Sequence, residues 1–162
     1  MTYLLDTNIF ITAKNELPMD VYPSFWQALS QLAASGSFKS IKKVEDEIRK
    51  GKDELVDWID NNLPKDFFIK ENNETLISLS TVSQWTMMNM TYTPAAKNDF
   101  ANVADSWIIA EALSQSVTVV TYETPDPMCK KRVKIPDVCN AVGVKYCNLN
   151  DAFRALGVTT VS

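Results

Sequence analysis

Short apolar segments alternate with helical segments at both ends of this 162-residue chain. Strands are predicted over residues 3–6, 38–41, 117–120 and 144–147, and residues 67–69 could form another extended segment. Residues 117–120 read Val-Thr-Val-Val, and β-branched residues of this kind are typical of buried strands. Strands that alternate with helices form mostly parallel sheets with helices on both faces. We therefore predict a three-layer α/β/α fold with a helical middle segment.

Helix signals fill the intervals between these strands. Pro23 opens one helix and Gly36 ends it, while Pro136 and Gly143 bound another near the C-terminus. The remaining helices are predicted over residues 44–50, 53–63, 103–113 and 151–156, with a long helix capped by Asn73. That long helix contains Trp85, Met87 and Met88, and such residues are more often core than a binding site.

Composition narrows the class of protein. Apolar residues make up 46% of the chain, which predicts a single folded domain over residues 1–162. No apolar run reaches membrane-spanning length, and no signal peptide is evident, so we expect no membrane association. Three cysteines, an odd number without a metal-binding spacing, favour a reducing cytoplasm. The absence of histidine excludes histidine-based triads and favours oxygen-ligated Mg²⁺ or Mn²⁺ over zinc.

Four acids occupy positions at which a carboxylate could serve chemistry. Asp6 ends the first strand, at the sheet edge where open α/β proteins bind ligands, although Asp6 or Thr7 could instead cap the next helix. Asp105 lies on the apolar stripe of its helix, so it must pair, bind a metal, open onto a cleft, or support the helix dipole. Glu47 lies on the same side of its helix as Val44, although it could instead be an ordinary surface residue. Glu123 follows the strand over residues 117–120, although it could instead belong to a turn.

These segments resemble the PIN-domain nucleases, the family that includes VapC-type toxins. Leu5-Asp6-Thr7-Asn8 is similar to the family's opening strand and first aspartate, and Glu47-Ile48 to its helix-borne glutamate. Asp105 to Ala110 resembles the third acidic segment, and Val119 to Glu123 resembles the strand that carries the fourth acid. Glu123 departs from the usual aspartate, and the segment over residues 53–101 is longer and more helical than in compact toxins.

The resemblance implies a metal-dependent endoribonuclease that acts on RNA, with an antitoxin protein as partner, and leaves a homodimer open. It implies Asp6, Glu47, Asp105 and Glu123 as catalytic residues and ligands of Mg²⁺ or Mn²⁺. Asp99 and Asp126 compete with Glu123 to complete the site. Substrate binding is assigned to Asn8, Thr121 and a basic cluster, which consists of Lys130, Lys131, Arg132 and Lys134.

Two other functions remain open from the sequence. A PIN-like module could bind RNA or protein without cutting, which the Glu123 departure permits. An aspartate-based phosphatase would use Asp6 as nucleophile, but such enzymes carry a second aspartate where this chain has Asn8. The basic cluster could likewise be an exposed loop that touches no phosphate.

Overall fold

Five parallel strands form one sheet in the computed structural model, which describes residues 1–160. The strands are β1 (Tyr3–Leu5), β2 (Phe38–Ile41), β3 (Phe68–Ile69), β4 (Thr118–Val120) and β5 (Tyr146–Cys147). Their order is β3-β2-β1-β4-β5, so β1 lies at the centre. The predicted parallel sheet is confirmed, with strands one or two residues shorter than predicted in four cases.

Helices flank the sheet on both faces, as predicted. In the described residues they are α1 (Thr7–Glu16), α2 (Pro23–Ala34), α3 (Lys42–Arg49), α4 (Glu54–Asn62), α5 (Asn73–Met88), α6 (Pro94–Ala101), α7 (Ala104–Gln115), α8 (Ile135–Val142) and α9 (Leu149–Ala155). The helix α6 was not separately predicted. Its start follows from Thr93, whose hydroxyl accepts from the Ala96 N–H, and from Pro94 in the first turn.

Aromatic rings fill the core on one side of the sheet. Phe38 of β2 stacks on Phe153 of α9 with ring centroids 6.0 Å apart, and Phe25 of α2 meets Phe153 at 5.9 Å. Tyr3, which is paired in register with Phe38, contacts it edge-on. The helix α7 packs against β2 and β4. Burial of these strands between helices explains their near-continuous apolar character.

The long helix α5 differs from its prediction in two respects. Asn72, and not Asn73, is the cap: its side chain accepts from the Thr75 N–H, and the Thr75 hydroxyl accepts from the Asn72 N–H. This reciprocal pair fixes the start, because only Asn72 has a threonine three residues later. Met87 and Met88, predicted as core, are 63% and 73% exposed.

Three further observations concern the whole described chain. Cys129, Cys139 and Cys147 form no disulfide. No helix within residues 1–160 is both long and apolar enough to span a membrane. A single domain over residues 1–162 stays a prediction, and its last two residues lie outside the described part.

Candidate active site

The carboxyl ends of β1 and β4 meet at the centre of the sheet, where the strand order reverses. Leu5 is aligned with Val120, so Asp6 and Thr121 follow the two strands side by side. The Asp6 N–H donates to the Val120 carbonyl at 3.0 Å, which extends the pairing by one residue. In parallel α/β sheets the crevice at such a reversal is the usual ligand site.

Asp6 is held in place by Thr121. The Thr121 hydroxyl donates to Asp6 Oδ2 at 3.1 Å and accepts from the Glu123 N–H at 3.1 Å. Asp6 occupies the cap position of α1, but its side chain makes no capping hydrogen bond. Burial, followed by the charge of Glu123, raises the pKa of Asp6 to about 7. The carboxylate is 1% exposed and therefore lies behind the surface of the site.

Asp105 lies in the first turn of α7, as expected for an acid at a helix start. No group within residues 1–160 donates a hydrogen bond to its carboxylate. Burial raises the pKa of Asp105 to about 8, and the charges of Asp6, Glu123 and Glu47 act in the same direction. Arg132 opposes them. The charges of the other three acids therefore lie close enough to disfavour ionisation of Asp105.

The carboxylates of Glu47 and Glu123 are occupied by protein donors. Glu47 Oε1 accepts from the Thr7 hydroxyl at 2.7 Å, and Oε2 accepts from the Ala104 N–H at 2.8 Å. Glu123 Oε1 accepts from the Ile135 N–H at 3.2 Å. Its Oε2 accepts from the Arg132 guanidinium at 3.3 Å.

A cavity of about 310 Å³ opens beside Glu47 and Asp105, whereas Asp6 and Glu123 are not among the residues that line it. Its lining includes Glu47, Asp99 and Asp105 together with Lys131 and Arg132 of the basic cluster. The apolar part of the lining consists of Ala96, Phe100, Val103 and Val133. The mixture of acids and cations at one opening suits a ligand that is itself both charged and metal-associated, such as a phosphodiester.

The remaining predicted site residues lie in different places. Asn8 is exposed in the first turn of α1, and Thr121 is buried, where it holds Asp6. Lys130 and Lys134 are absent from the cavity lining. Asp126 is exposed, and its N–H donates to Asp137, so it is not part of this lining.

Thr7 is a residue whose role the sequence analysis missed. Thr7 and Asn8 were considered as a cap and a substrate ligand, but the Thr7 hydroxyl instead connects the end of β1 to Glu47. The sequence did show a hydroxyl directly after the strand-end acid, at a position where it can reach the same sheet edge. What the sequence lacked was the identity of the acceptor, 40 residues away.

The donor type and charge of this site fit a hard divalent cation. Its ligands would be carboxylate oxygens, and two of the acids carry raised pKa values because burial and the neighbouring negative charges disfavour their ionised forms. Within residues 1–160, however, no three acidic or cysteine side chains are close enough to form a ready metal-binding group. The arrangement thus provides the charge that a metal needs without a closed cage.

Sequence comparison assigns the chain to a family. A family model matches residues 3–160. The chain belongs to the DUF4411 family. That family is described as a domain of unknown function, so membership assigns no activity. No curated protein matches the DUF4411 chain.

Structural comparison supports the fold of the DUF4411 chain. Three chains of solved structures match it. One belongs to the crystal structure of VapBC2 from Rickettsia felis bound to a DNA fragment from their promoter. It is 17% identical, with a TM-score of 0.58 over 91% of this chain and 98% of that chain. At this identity the similarity establishes a shared fold, which agrees with the PIN-like architecture expected from the sequence.

Proposed function

We propose that this protein is a metal-dependent endoribonuclease that hydrolyses RNA phosphodiester bonds. The observation that carries the proposal is the convergence of Asp6, Glu47, Asp105 and Glu123 at the carboxyl edge of the sheet, where burial and mutual repulsion raise the pKa of two of them. A divalent cation would neutralise the repulsion among these acids, and perturbed pKa values in a cleft are typical of functional sites.

The proposed chemistry needs no nucleophilic side chain. Mg²⁺ or Mn²⁺, when bound, would lower the pKa of a water molecule and stabilise charge on the phosphate. Asp6 and Asp105 would supply carboxylate oxygens, and Glu47 and Glu123 complete the acidic centre. Lys131 and Arg132, at the cavity rim, would hold the phosphates on either side of the bond that is cut.

An activity assay with matched variants tests this proposal. The purified protein should cleave diverse RNAs with Mn²⁺ or Mg²⁺ and lose the activity with a chelator. Asp6→Asn should remain folded, because the change is nearly isosteric, yet should bind Mn²⁺ weakly and cut poorly. Asp20→Asn, at an exposed position, is the matched control and should behave like the wild type. Intact RNA in all conditions, together with no Mn²⁺ binding by calorimetry, would refute the proposal.

A role as the toxin of a toxin–antitoxin pair is the second part of the proposal. It is supported by the shared fold with a chain of the VapBC2 structure, which contains a DNA fragment from the promoter of that pair. The corresponding partner here would be an antitoxin protein, and a homodimer is compatible with it. A small DNA-binding reading frame that overlaps this gene, and whose product abolishes the ribonuclease activity, is the expected result. A gene without such a neighbour would count against this part alone.

One observation favours the alternative of a non-catalytic binding module. Within the described residues no three acids form a ready metal group, and Arg132 already pairs with Glu123. A binding-only module should bind RNA but show no Mn²⁺ site that depends on Asp6 or Asp105. Calorimetry with Asp105→Asn therefore separates the two functions.

A further inference from the structure

The helix α7 begins without a cap of its own. Its first N–H groups need acceptors from outside the helix, as at every helix start. The cap position is held by Val103, whose side chain cannot accept a hydrogen bond. Glu47, from α3, supplies the missing acceptor: its Oε2 lies 2.8 Å from the N–H of Ala104, the first residue of α7. The capping group thus comes from a residue 57 positions earlier in the chain.

The second oxygen of Glu47 holds the end of β1. Its Oε1 accepts from the Thr7 hydroxyl at 2.7 Å. Thr7 directly follows Asp6, and Ala104 directly precedes Asp105. One carboxylate is therefore bonded to the immediate chain neighbours of both Asp6 and Asp105. Both bonds are short and charge-assisted, which makes them roughly twice as strong as neutral hydrogen bonds.

The two aspartates differ from Glu47 in the donors that they meet. Asp105 receives no hydrogen bond from any group in residues 1–160, and Asp6 accepts a side-chain bond from Thr121 on one oxygen. The oxygens of Asp105 are thus free of protein donors, and one Asp6 oxygen accepts from no side chain, whereas Glu47 would have to release Thr7 or Ala104 before it could bind a ligand. Release of the Ala104 N–H would also leave the start of α7 without its acceptor.

We infer that Glu47 is a positioning residue of the acidic centre, which fixes Asp6 and Asp105 relative to each other and gives no oxygen to the metal. The inference rests on the proposed function and assigns one of its four acids a distinct role. Glu123 is not included. One of its oxygens accepts from the Ile135 N–H, but the other pairs with Arg132, a side chain that is 54% exposed, so this second oxygen can turn to a ligand at little cost.

The Ala104 amide reports directly on the inference. In ¹H–¹⁵N NMR of the whole protein, we expect slow hydrogen exchange at Ala104 both without Mg²⁺ and at saturating Mg²⁺. Amides next to Asp6 and Asp105 should shift on Mg²⁺ addition. If Glu47 turns to the metal, the Ala104 amide exchanges faster in Mg²⁺ while the neighbouring amides still shift. That result overturns the inference and leaves the proposed function intact. The absence of any shift overturns both.

Two substitutions at Glu47 supply the second measurement. Glu47→Gln can keep both bonds, because its carbonyl can accept from the Ala104 N–H and its amide can donate to the Thr7 hydroxyl. Glu47→Ala keeps neither. We expect the Mn²⁺ affinity measured by calorimetry to fall about 10- to 100-fold in Glu47→Ala, which is the usual effect of removing a residue that orients metal ligands. Glu47→Gln should recover most of that loss, and Asp105→Asn should bind weakest.

Equal loss of Mn²⁺ affinity in Glu47→Gln, Glu47→Ala and Asp105→Asn would overturn the inference. A neutral amide can keep the hydrogen bonds of a positioning residue, but it cannot replace a carboxylate that binds the metal. The dispersed NMR spectrum of each variant serves as the control for folding. Without metal, hydrogen exchange at the Ala104 amide should be as slow in Glu47→Gln as in the wild type. This result would show that the glutamine variant has lost the charge of Glu47 but has kept its hydrogen bond to Ala104.

Discussion

Replacing Asp105 with asparagine should make the metal-free protein more stable. Asp105 is surrounded by like charges and receives no hydrogen bond within residues 1–160. Its pKa rises from 3.8 to about 8, so the folded state binds a proton more tightly than the unfolded state. The folded-state penalty is absent below about pH 4 and grows as the pH rises towards about 8. Asparagine removes the charge and with it this penalty.

The size of the effect follows from the pKa. One pKa unit corresponds to about 1.4 kcal/mol, so the upper limit at pH 7 is about 4 kcal/mol. The neighbouring acids share protons with Asp105, and we therefore expect about half of this limit. The gain should be about 1 kcal/mol at pH 5 and about 2–3 kcal/mol at pH 8. At pH 8 this corresponds to a rise in Tm of roughly 4–12 °C.

Thermal unfolding followed by circular dichroism, at pH 5 and pH 8 with a chelator present, measures the difference. Asp20→Asn is the control for a carboxylate removed from the surface and should change Tm little. Added Mn²⁺ should raise the Tm of the wild type and reduce the advantage of Asp105→Asn, because only the wild type binds the ion strongly. A variant that is less stable than the wild type at pH 8, or a gain that does not grow with pH, would refute the electrostatic argument.

Three further changes have defined outcomes. Thr121→Val removes the hydroxyl shared by Asp6 and Glu123 at nearly constant volume, and should lower the free energy of unfolding by about 1–3 kcal/mol in urea titration. Changing all four residues of the basic cluster to glutamine should weaken RNA binding and make it less dependent on salt concentration, without altering Mn²⁺ affinity. The control is the double variant Lys65→Gln, Lys145→Gln, which removes exposed charges elsewhere. An unchanged salt dependence of RNA binding would show that the cluster is only a solvated surface. Ser116, at the end of α7, has a left-handed φ of 55°, which glycine adopts without strain. Ser116→Gly should therefore raise the free energy of unfolding by about 0.5–1 kcal/mol, and an unchanged Tm would contradict this expectation.

The sequence predicted the elements that carry the acids because their signals are local. The β-branched run before Thr121 and the acid at the end of the first strand each identify a strand end. Once two strands are parallel neighbours, their carboxyl ends must share an edge. The meeting of Asp6 with Thr121 was therefore within reach of sequence reasoning, although the alignment of Leu5 with Val120 required the structure.

The partners of Glu47 could not be predicted in the same way. Helical periodicity shows which side of α3 carries Glu47, but not which backbone N–H that side meets. The Ala104 donor is a main-chain group, and main-chain groups leave no trace in the sequence. Val103 occupies the cap position of α7, and its side chain cannot accept a hydrogen bond. This residue type indicates that the acceptor for the first N–H groups of α7 comes from another part of the chain.

The buried side of α5 was mispredicted for a related reason. Apolar residues occur on more than one side of this helix, so periodicity does not select one side. The structure buries Thr75, Val82 and Thr86 and leaves Leu76 and Ile77 exposed. The hydroxyl of Thr75 explains part of the choice, since it donates to the buried Glu111 of α7 at 2.6 Å. The hydrogen bond between Thr75 and Glu111 thus helps to set which side of α5 is buried, which the positions of the apolar residues alone do not determine.

The pairing of β1 with β4 has a consequence for synthesis of the chain. Asp6 is made 115 residues before Thr121, the residue that holds its carboxylate. A nascent or truncated chain that stops before β4 has no neighbour for one side of β1 and lacks Glu123 altogether. If the proposed activity holds, a chain still on the ribosome can gain its acidic centre only after Glu123 has been made and β4 has paired with β1. A truncated chain that ends before Thr118 should accordingly lack ribonuclease activity.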